Sequence, residues 1–331
     1  MSKESVLRLL TGADDYVSGE RMSEVLGVSR AAVWKSIQSL RAAGYEIEAK
    51  TKRGYRLLDV PDTPLPGSVR PLLTSENFCP EIVYLDEVDS TNSYLKRQAA
   101  SGAAHGTVAI AETQSGGRGR QGRGFVSVSG KGLFFSVLLR PDAAVTQSIT
   151  ALTAFAAVAV CEAISAVAPS VEPRVKWVND ILVGDKKLVG ILSEMSMVGE
   201  MGQVDYVVIG VGINVHYKET DFPPELRDRA TSLAMLTDKP VSRVKLAAAM
   251  IDAFARMYDV CRTEPETYVE RYRALSATVG REILVIQGAQ SRPAYAVGIC
   301  SDCGLVVRYP DGTEEVLHYG ETSIRGERGY V

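Results

Sequence analysis

Apolar positions change their period twice along this chain. Residues 1–60 begin at helical spacing and then alternate. Met22, Val25 and Leu26 make one short apolar face, and Gly27 permits a tight turn. Ser29 suits the N-cap of a second helix in which Val33, Ile37 and Leu40 are spaced for burial. Tyr45 to Leu57 then alternates around a turn at Lys52-Arg53-Gly54, which predicts a hairpin. Residues 61–71 carry four prolines in eleven positions and read as a stiff linker. From about 80 to 275 strands and helices take turns: strands at 81–85, 107–112, 132–140, 174–178, 187–195 and 205–215, helices at 91–101, 146–167, 243–261 and 265–275. From 280 to 325 the runs become short and β-rich, at 282–286, 294–299, 304–309 and 314–317, with turn signals between them. A small antiparallel barrel follows from that spacing. The expected division is a winged helix-turn-helix over 1–60, a linker over 61–78, a mixed α/β domain over 79–276 and a small β-barrel over 277–331.

Composition narrows this picture in three places. The chain of 331 residues has a net charge of −3, so bulk electrostatics do not make it a polyanion binder. Residues 21–56 nevertheless hold eight basic against three acidic residues, a local excess of five, which points to a local polyanion contact. The stretch Ile149 to Val167 is apolar but broken by Thr150, Thr153, Glu162 and Ser165, and reads as a buried helix rather than a membrane span. The start lacks the pattern of a signal peptide, and five scattered cysteines suit a reduced cytoplasm better than a disulfide framework. Cys300 and Cys303 form a lone CxxC without a second ligand pair, so a hairpin turn is expected there and no metal site.

In the first segment, Ser29, Arg30, Ala32, Trp34, Lys35 and Gln38 fall on or near the side of the second helix away from its core, free to face a DNA groove. Lys52 and Arg53 in the hairpin turn could sit on phosphates. A protein-docking winged helix is the alternative.

Chemistry concentrates in the central segment. Gly116 to Gly124 packs five glycines and three arginines (Arg118, Arg120, Arg123) into nine residues after a strand. Glycine belongs where backbone must turn sharply or approach a ligand, and the guanidinium fork suits phosphate or carboxylate. The run therefore reads as a loop that closes on an anionic ligand. Asp89-Ser90-Thr91-Asn92 precedes a helix and is either a good cap or a polar nest for a small ligand. Lys187 opens a strand with Gly190 inside it, and a strand glycine signals close approach. Gly210-Val211-Gly212-Ile213-Asn214 at a strand end is a weaker signal.

Together, Ser90-Thr91-Asn92, Gln114, the Gly117–Arg123 loop, Lys176-Trp177-Val178-Asn179-Asp180, Lys187–Leu192 and Gly212-Ile213-Asn214 resemble the biotin–protein ligases. The winged helix in front resembles the bifunctional bacterial form, ligase and biotin-operon repressor in one chain. Tyr319–Arg325 matches that family's SH3-like barrel. The chain departs from the family pattern at Gln121, where an arginine is usual, at Phe125, where tryptophan is usual, and at Val178, where proline is usual. The resemblance implies a two-step reaction: biotin and ATP, with Mg2+, give biotinyl-5′-AMP, and a lysine of the biotin carboxyl carrier protein then takes the biotinyl group. It further implies a homodimer on operator DNA and no membrane. By the same resemblance Lys187, Arg118 and Arg120 would be catalytic. Ser90, Thr91, Asn92, Gln114, Gly117, Arg118 and Lys187 would hold biotin. Arg118, Arg120, Arg123, Phe125, Trp177, Asn179, Asp180 and Asn214 would hold the nucleotide. A lipoate-type ligase and a ligand-sensing repressor without catalysis are the competing readings.

Overall fold

The computed structural model describes residues 3–13, 15–42, 45–59, 62–75, 77–119, 124–199, 203–287, 290–318 and 322–326. Arg120, Gln121, Arg123 and residues 319–321 of the expected motifs lie outside the described residues. The chain divides into two compact units, Met1–Leu73 and Thr74–Val331.

The first unit has helices Lys3–Thr11, Gly19–Leu26 and Arg30–Ala42, then strands β1 (Glu46–Lys50) and β2 (Gly54–Asp59) paired antiparallel. Its core is Val6, Leu7, Leu10, Met22, Val33, Ile37, Leu40, Tyr45 and Ile47. Gly27 takes φ 65° and closes the second helix by donating its N–H to the carbonyls of Ser23 and Glu24. The expected Met22–Val25–Leu26 face is narrower than its spacing suggests. Val25 is 61 % exposed, while Met22 is buried and Leu26 packs at the core margin. Three residues turn a helix by about 300°, so Val25 stands some 60° off Met22, on the side away from Leu26.

The proline-rich stretch is folded onto this unit. Pro66 begins the short helix Pro66–Val69, where its missing N–H costs nothing, and a 3-10 turn follows at Arg70–Leu72. Val69 is buried, and the Ser68 hydroxyl shares a hydrogen bond with the Tyr45 hydroxyl. Residues 66–72 are thus not the stiff tether that their prolines predict.

The second unit is built on a seven-stranded sheet of β3 (Ile82–Val88), β4 (Val108–Gln114), β5 (Gly132–Leu139), β6 (Arg174–Lys176), β7 (Asp180–Val183), β8 (Lys186–Val198) and β9 (Gln203–Asn214). Its order is β3-β4-β5-β9-β8-β7-β6. Only β3 and β4 pair parallel, and the helix Thr91–Ala100 supplies the crossover that parallel neighbours need. Successive residues of a strand face opposite ways, and β5 shows it. Phe135 stacks on Phe254 of the helix Arg243–Thr263, ring centroids 5.7 Å apart, while Leu138 packs with Leu95 of the crossover helix. The apolar stretch expected as one helix over 146–167 divides into Ala143–Thr146, a 3-10 turn and Leu152–Val167. The stretch Ile149–Val167 is apolar enough by composition to cross a membrane, yet it is 67 % buried inside the fold. The expected strand 174–178 ends early, at Lys176, and after a reversal at residues 177–179 the chain pairs back on it as β7, a strand the sequence pattern did not predict.

The small β domain has strands β10 (Glu282–Gln287), β11 (Gln290–Ile299), β12 (Leu305–Arg308), β13 (Glu314–Leu317) and β14 (Thr322–Gly326), all antiparallel in the order β13-β12-β11-β10-β14. Cys300 to Cys303 is the expected turn between β11 and β12, with Cys303 N–H on the Cys300 carbonyl. That turn docks on the large sheet. The Trp177 indole N–H donates to the Cys303 carbonyl at 3.1 Å, its backbone N–H donates to Thr278 Oγ1 at 2.9 Å, and Arg273 Nε reaches the Ile299 carbonyl at 2.8 Å. Trp177 and Cys303 are both buried, and burial pushes the Cys303 thiol up to about 12.

Trp177→Phe keeps a smaller aromatic ring in place and strands the Cys303 carbonyl without its donor. Unfolding in urea should show a loss of about 1–3 kcal/mol, the cost of an unsatisfied buried acceptor. An unchanged midpoint would remove the indole from the list of contacts that hold the two parts together.

Candidate functional site

Three structural devices converge on one face of the large sheet. The first is the start of the crossover helix. Gln114 ends β4, and its Oε1 accepts the Thr91 N–H at 2.8 Å and the Thr91 hydroxyl at 3.2 Å. Ser90 stands at the N-cap position, yet its side chain makes no cap hydrogen bond, so the capping reading of this serine fails. Asp89 is turned outward and paired twice with Arg97, at 2.8 and 3.0 Å, and hydrogen bonding to that guanidinium draws its carboxyl down to about 2.

Asn92 has a different place from the one its motif implies. Its Nδ2 donates to the Leu192 carbonyl at 3.1 Å and to Glu194 at 2.9 Å, and its Oδ1 lies 2.7 Å from Ser136 Oγ. Its carboxamide is therefore engaged with the protein, clasping the crossover helix to β8 and β5. Ser136 Oγ also lies 2.7 Å from Thr91 Oγ1. Lys96 completes the clasp with an ion pair to Glu194 at 2.6 Å. Burial works to raise the Glu194 carboxyl, but bonds from Lys96 and Asn92 outweigh it and hold it below the usual glutamate range.

The second device is a glycine floor. Gly190 of β8 and Gly212 of β9 are directly paired, and Gly210 follows on the same face two residues before Gly212. A Cβ on Gly210 would lie 2.8 Å from Asn92 Cγ and closer still to its Oδ1. A Cβ on Gly190 would come within 3.3 Å of Lys187 Nζ. Lys187 is only 27 % exposed at its side chain, and its ammonium meets Asp180 Oδ1 at 2.6 Å. The backbone around it is fixed on its other side by Arg229 and Thr231, at 2.7 and 2.9 Å. Lys187 is therefore not a surface charge; it is aimed along the edge of the floor.

The third device is the glycine-rich loop. Backbone bonds from Ser115 to Val88 and from Gly116 to Asp89 keep it alongside β3. Its neck is closed by the bridge of Arg118 with Gly124 and by Phe125 N–H on the Gly117 carbonyl at 3.2 Å. Arg118 is exposed at this neck. Phe125 reaches the floor and meets Phe134 edge-on, centroids 6.2 Å apart. On the opposite face a buried group pins the far end of the loop. Glu112 accepts from Tyr84 at 2.7 Å, from Ser129 and Gly130, and from the buried Arg243, whose Nη1 is 3.1 and 3.2 Å from its two oxygens.

Several expected site residues are supports. Trp177 faces the small β domain and not the floor. The Asn179 side chain donates to the Ile191 carbonyl at 2.8 Å while its own carbonyl accepts the Ile191 N–H, so it straps the 177–179 reversal to β8. Asn214 is buried, with Nδ2 on the Thr231 carbonyl at 3.0 Å. Ser136, Glu194, Lys96 and the Glu112–Arg243 pair escaped the sequence reading. Ser136 left a signal, as the one polar side chain inside the apolar run Leu133–Leu139.

In the first unit, Ser29 Oγ caps the third helix through Ala32 N–H at 3.2 Å, and Arg30 and Lys35 are exposed, as is Trp34 at 56 %. Gln38 and Ala32 are half-buried on the same helix. Lys52 takes φ 67° at the tip of the hairpin. Arg53 pairs with Asp15 at 2.7 Å and covers the Tyr16 ring, so its charge is already partly answered within the unit.

Comparison with known proteins agrees with this division. Residues 84–214 match the Biotin/lipoate A/B protein ligase family, and residues 3–56 match the HTH domain. The chain is 38 % identical over 257 residues to the bifunctional ligase/repressor BirA of Bacillus subtilis, covering 77 % of this chain and 78 % of that one. It is 34 % identical over 221 residues to the biotin–[acetyl-CoA-carboxylase] ligase of Mycobacterium tuberculosis, covering 65 % and 77 %. The biotin protein ligase of Aquifex aeolicus in complex with biotin and ATP superposes with a TM-score of 0.64 at 27 % identity, covering 75 % of this chain and all of that one.

Gly210→Ala should drive Asn92 off its seat and cost about 1–3 kcal/mol, the scale of overpacking a close contact. Thermal unfolding checks it, and a variant as stable as the parent would show that Asn92 has another way to sit. Glu194 carries the opposite kind of signature. Its depressed carboxyl stabilises the fold above the ordinary glutamate range, near 4.5, and that contribution is lost as the pH falls through the folded value. The stability difference between the parent and Glu194→Gln should therefore shrink below about pH 4.5, and a pH-independent difference would contradict the clasp.

Proposed function

The chain belongs to the family of BirA bifunctional ligase/repressors, and from that footing we propose that it joins biotin to ATP as biotinyl-5′-AMP, passes the biotinyl group to a lysine of the biotin carboxyl carrier protein of acetyl-CoA carboxylase, and represses biotin-operon genes through its N-terminal unit. One observation carries the ligase reading: Lys187 Nζ stands at the edge of a floor made of two paired glycines, on which the ring of Phe125, at the exit of the glycine-rich loop, also rests.

That arrangement suits the charges of the reaction. A biotin carboxylate oxygen attacks the α-phosphorus of ATP, the bond to the bridging oxygen breaks, and pyrophosphate leaves with the electron pair. Both reactants are anionic where they meet, and the Lys187 ammonium offsets that repulsion from a position fixed in advance by Asp180. The floor lets a ligand lie against backbone, and the Ser90 hydroxyl, which makes no cap bond, offers a donor and an acceptor suited to a ureido ring. In the second step the amine of the carrier lysine attacks the acyl carbon and AMP leaves, with loss of the amine proton. The mixed anhydride is water-sensitive, so the loop and Phe125 act as its cover. Among the described residues no three His, Cys, Asp or Glu side chains converge to hold a metal. Magnesium would arrive with the nucleotide as part of that substrate and offset the charge of its phosphates. All five cysteines are free thiols and four are buried, in keeping with a reduced cytoplasm.

The homodimer has support at the sheet edge. Beyond Gly190, β8 pairs with β9 on one side and, among the described residues, with no strand on the other. Met195 and Met197 stand 53 % and 57 % exposed there. Edge pairing between two copies would cover this strand and set two winged helices on a two-fold operator.

ATP–pyrophosphate exchange tests the activity: biotin should support it and lipoate should not. Lys187→Ala should lower the rate by roughly 10²–10³-fold with the fold intact, the scale of one lost preorganised charge. A near-normal rate would remove Lys187 from the chemistry. Arg30→Ala or Lys35→Ala should weaken operator binding, with a lower salt dependence, and leave exchange untouched. Equal operator affinity in the parent and both variants would argue for a protein-docking role of the first unit.

A further inference from the structure

The glycine floor has an occupant from the chain itself. A Cβ at Gly212 would lie 2.9–3.2 Å from three carbons of the Phe125 ring, and one at Gly190 would lie 3.2 Å from its Cε2. The ring thus occupies the space over two residues that lack side chains, too close for a Cβ on either to fit without a shift. It stands beside Lys187 Nζ, which is the same distance, within 0.1 Å, from the Gly190 position. Its outer edge is held by Phe134. No layer of atoms fits between a ring and a floor at van der Waals separation, so a ligand group reaches this ground only where the ring does not lie.

We propose that Phe125 is an internal competitor for the ligand floor: its ring covers the Gly190–Gly212 pair, and biotin or its adenylate binds by displacing it. The inference rests on the reading of that floor as the biotinyl-adenylate site. The displacement needs little backbone change, because Phe125 follows directly on the neck where its N–H meets the Gly117 carbonyl. The physical consequence is a tax on binding. A ligand that binds only the ring-off state has its apparent affinity reduced by the fraction of time that state is populated, so a ring seated about nine-tenths of the time costs about tenfold. Once displaced, the same ring stays tethered beside the site and becomes a wall over the bound ligand. One side chain thereby slows arrival and slows departure.

This predicts a split that a purely structural residue would not give. In the full-length chain, Phe125→Ala should bind biotin about tenfold faster in stopped-flow measurements, while biotinyl-5′-AMP formed on the enzyme should leave about tenfold faster than from the parent. In the parent sequence with 4-fluorophenylalanine at position 125, the fluorine resonance should move when biotin is added, as the ring leaves Phe134. Gly212→Ala gives an independent check, since its Cβ pushes at the ring: the same resonance should move without any ligand. Unchanged biotin association in Phe125→Ala, or a fluorine signal that stays in place while calorimetry registers biotin binding, would overturn the proposal. If calorimetry registers no biotin binding to the parent or to Phe125→Ala, the ligase reading itself fails and the competitor role with it. Should Phe125→Ala fail to fold by circular dichroism, the fluorine titration and Gly212→Ala still decide the matter.

Discussion

Three glycines on one face of β8 and β9 govern how the rest of the catalytic unit is arranged. At Gly190 and Gly212 the missing side chains leave room for the Phe125 ring, and at Gly210 the missing side chain leaves room for the Asn92 carboxamide. Strand glycine is ordinarily a weakness, since it packs nothing and loses entropy on ordering. Here the flanking residues compensate: Val189, Ile191, Val211 and Ile213 are buried on the other face. The result is a trough with a strong back.

The trough sets the positions of the charged groups around it. Asn92 in its seat links the crossover helix to β8, and through Glu194 it also fixes Lys96. Lys187 is fixed from the other end by Asp180 and by the backbone of residues 229–231. Each of these side chains is thus held by a partner on a neighbouring element, and the Glu112–Arg243 group does the same at the exit of the glycine-rich loop. Glu112 is held ionised against its burial by the Tyr84 hydroxyl and by Arg243, so the anchor does not relax at neutral pH.

The clasp also joins the site to the open edge of β8. Asn92 binds the carbonyl of Leu192 and the side chain of Glu194, and the unpaired stretch of β8 runs on from there to Val198.

Much of this was legible in the sequence, because it rests on residue type and local spacing. The 3.6 and 2.0 periods located the longer helices and strands but not β7, β14 or the short helices, Gly27 and Ser29 marked the helix-turn-helix, and Lys187 with Gly190 marked the strand beside the floor. Of the motif residues, Thr91 meets Gln114, and Lys187 lies by Gly190, the partner of Gly212. Other matters depended on which residues meet across long separations. Asn92 and Glu194 are far apart in the chain, as are Trp177 and Cys303, and no local pattern says that a carboxamide or an indole is already engaged. The prolines of 66–71 show that the chain turns there, but only the seat of Val69 and Ser68 shows that it turns onto the first unit. The place of Phe125 likewise follows from two glycines that become neighbours only when β8 pairs with β9. Local composition fixes what each residue is able to do; burial and pairing in the folded state decide whether it does so toward the ligand or toward the protein.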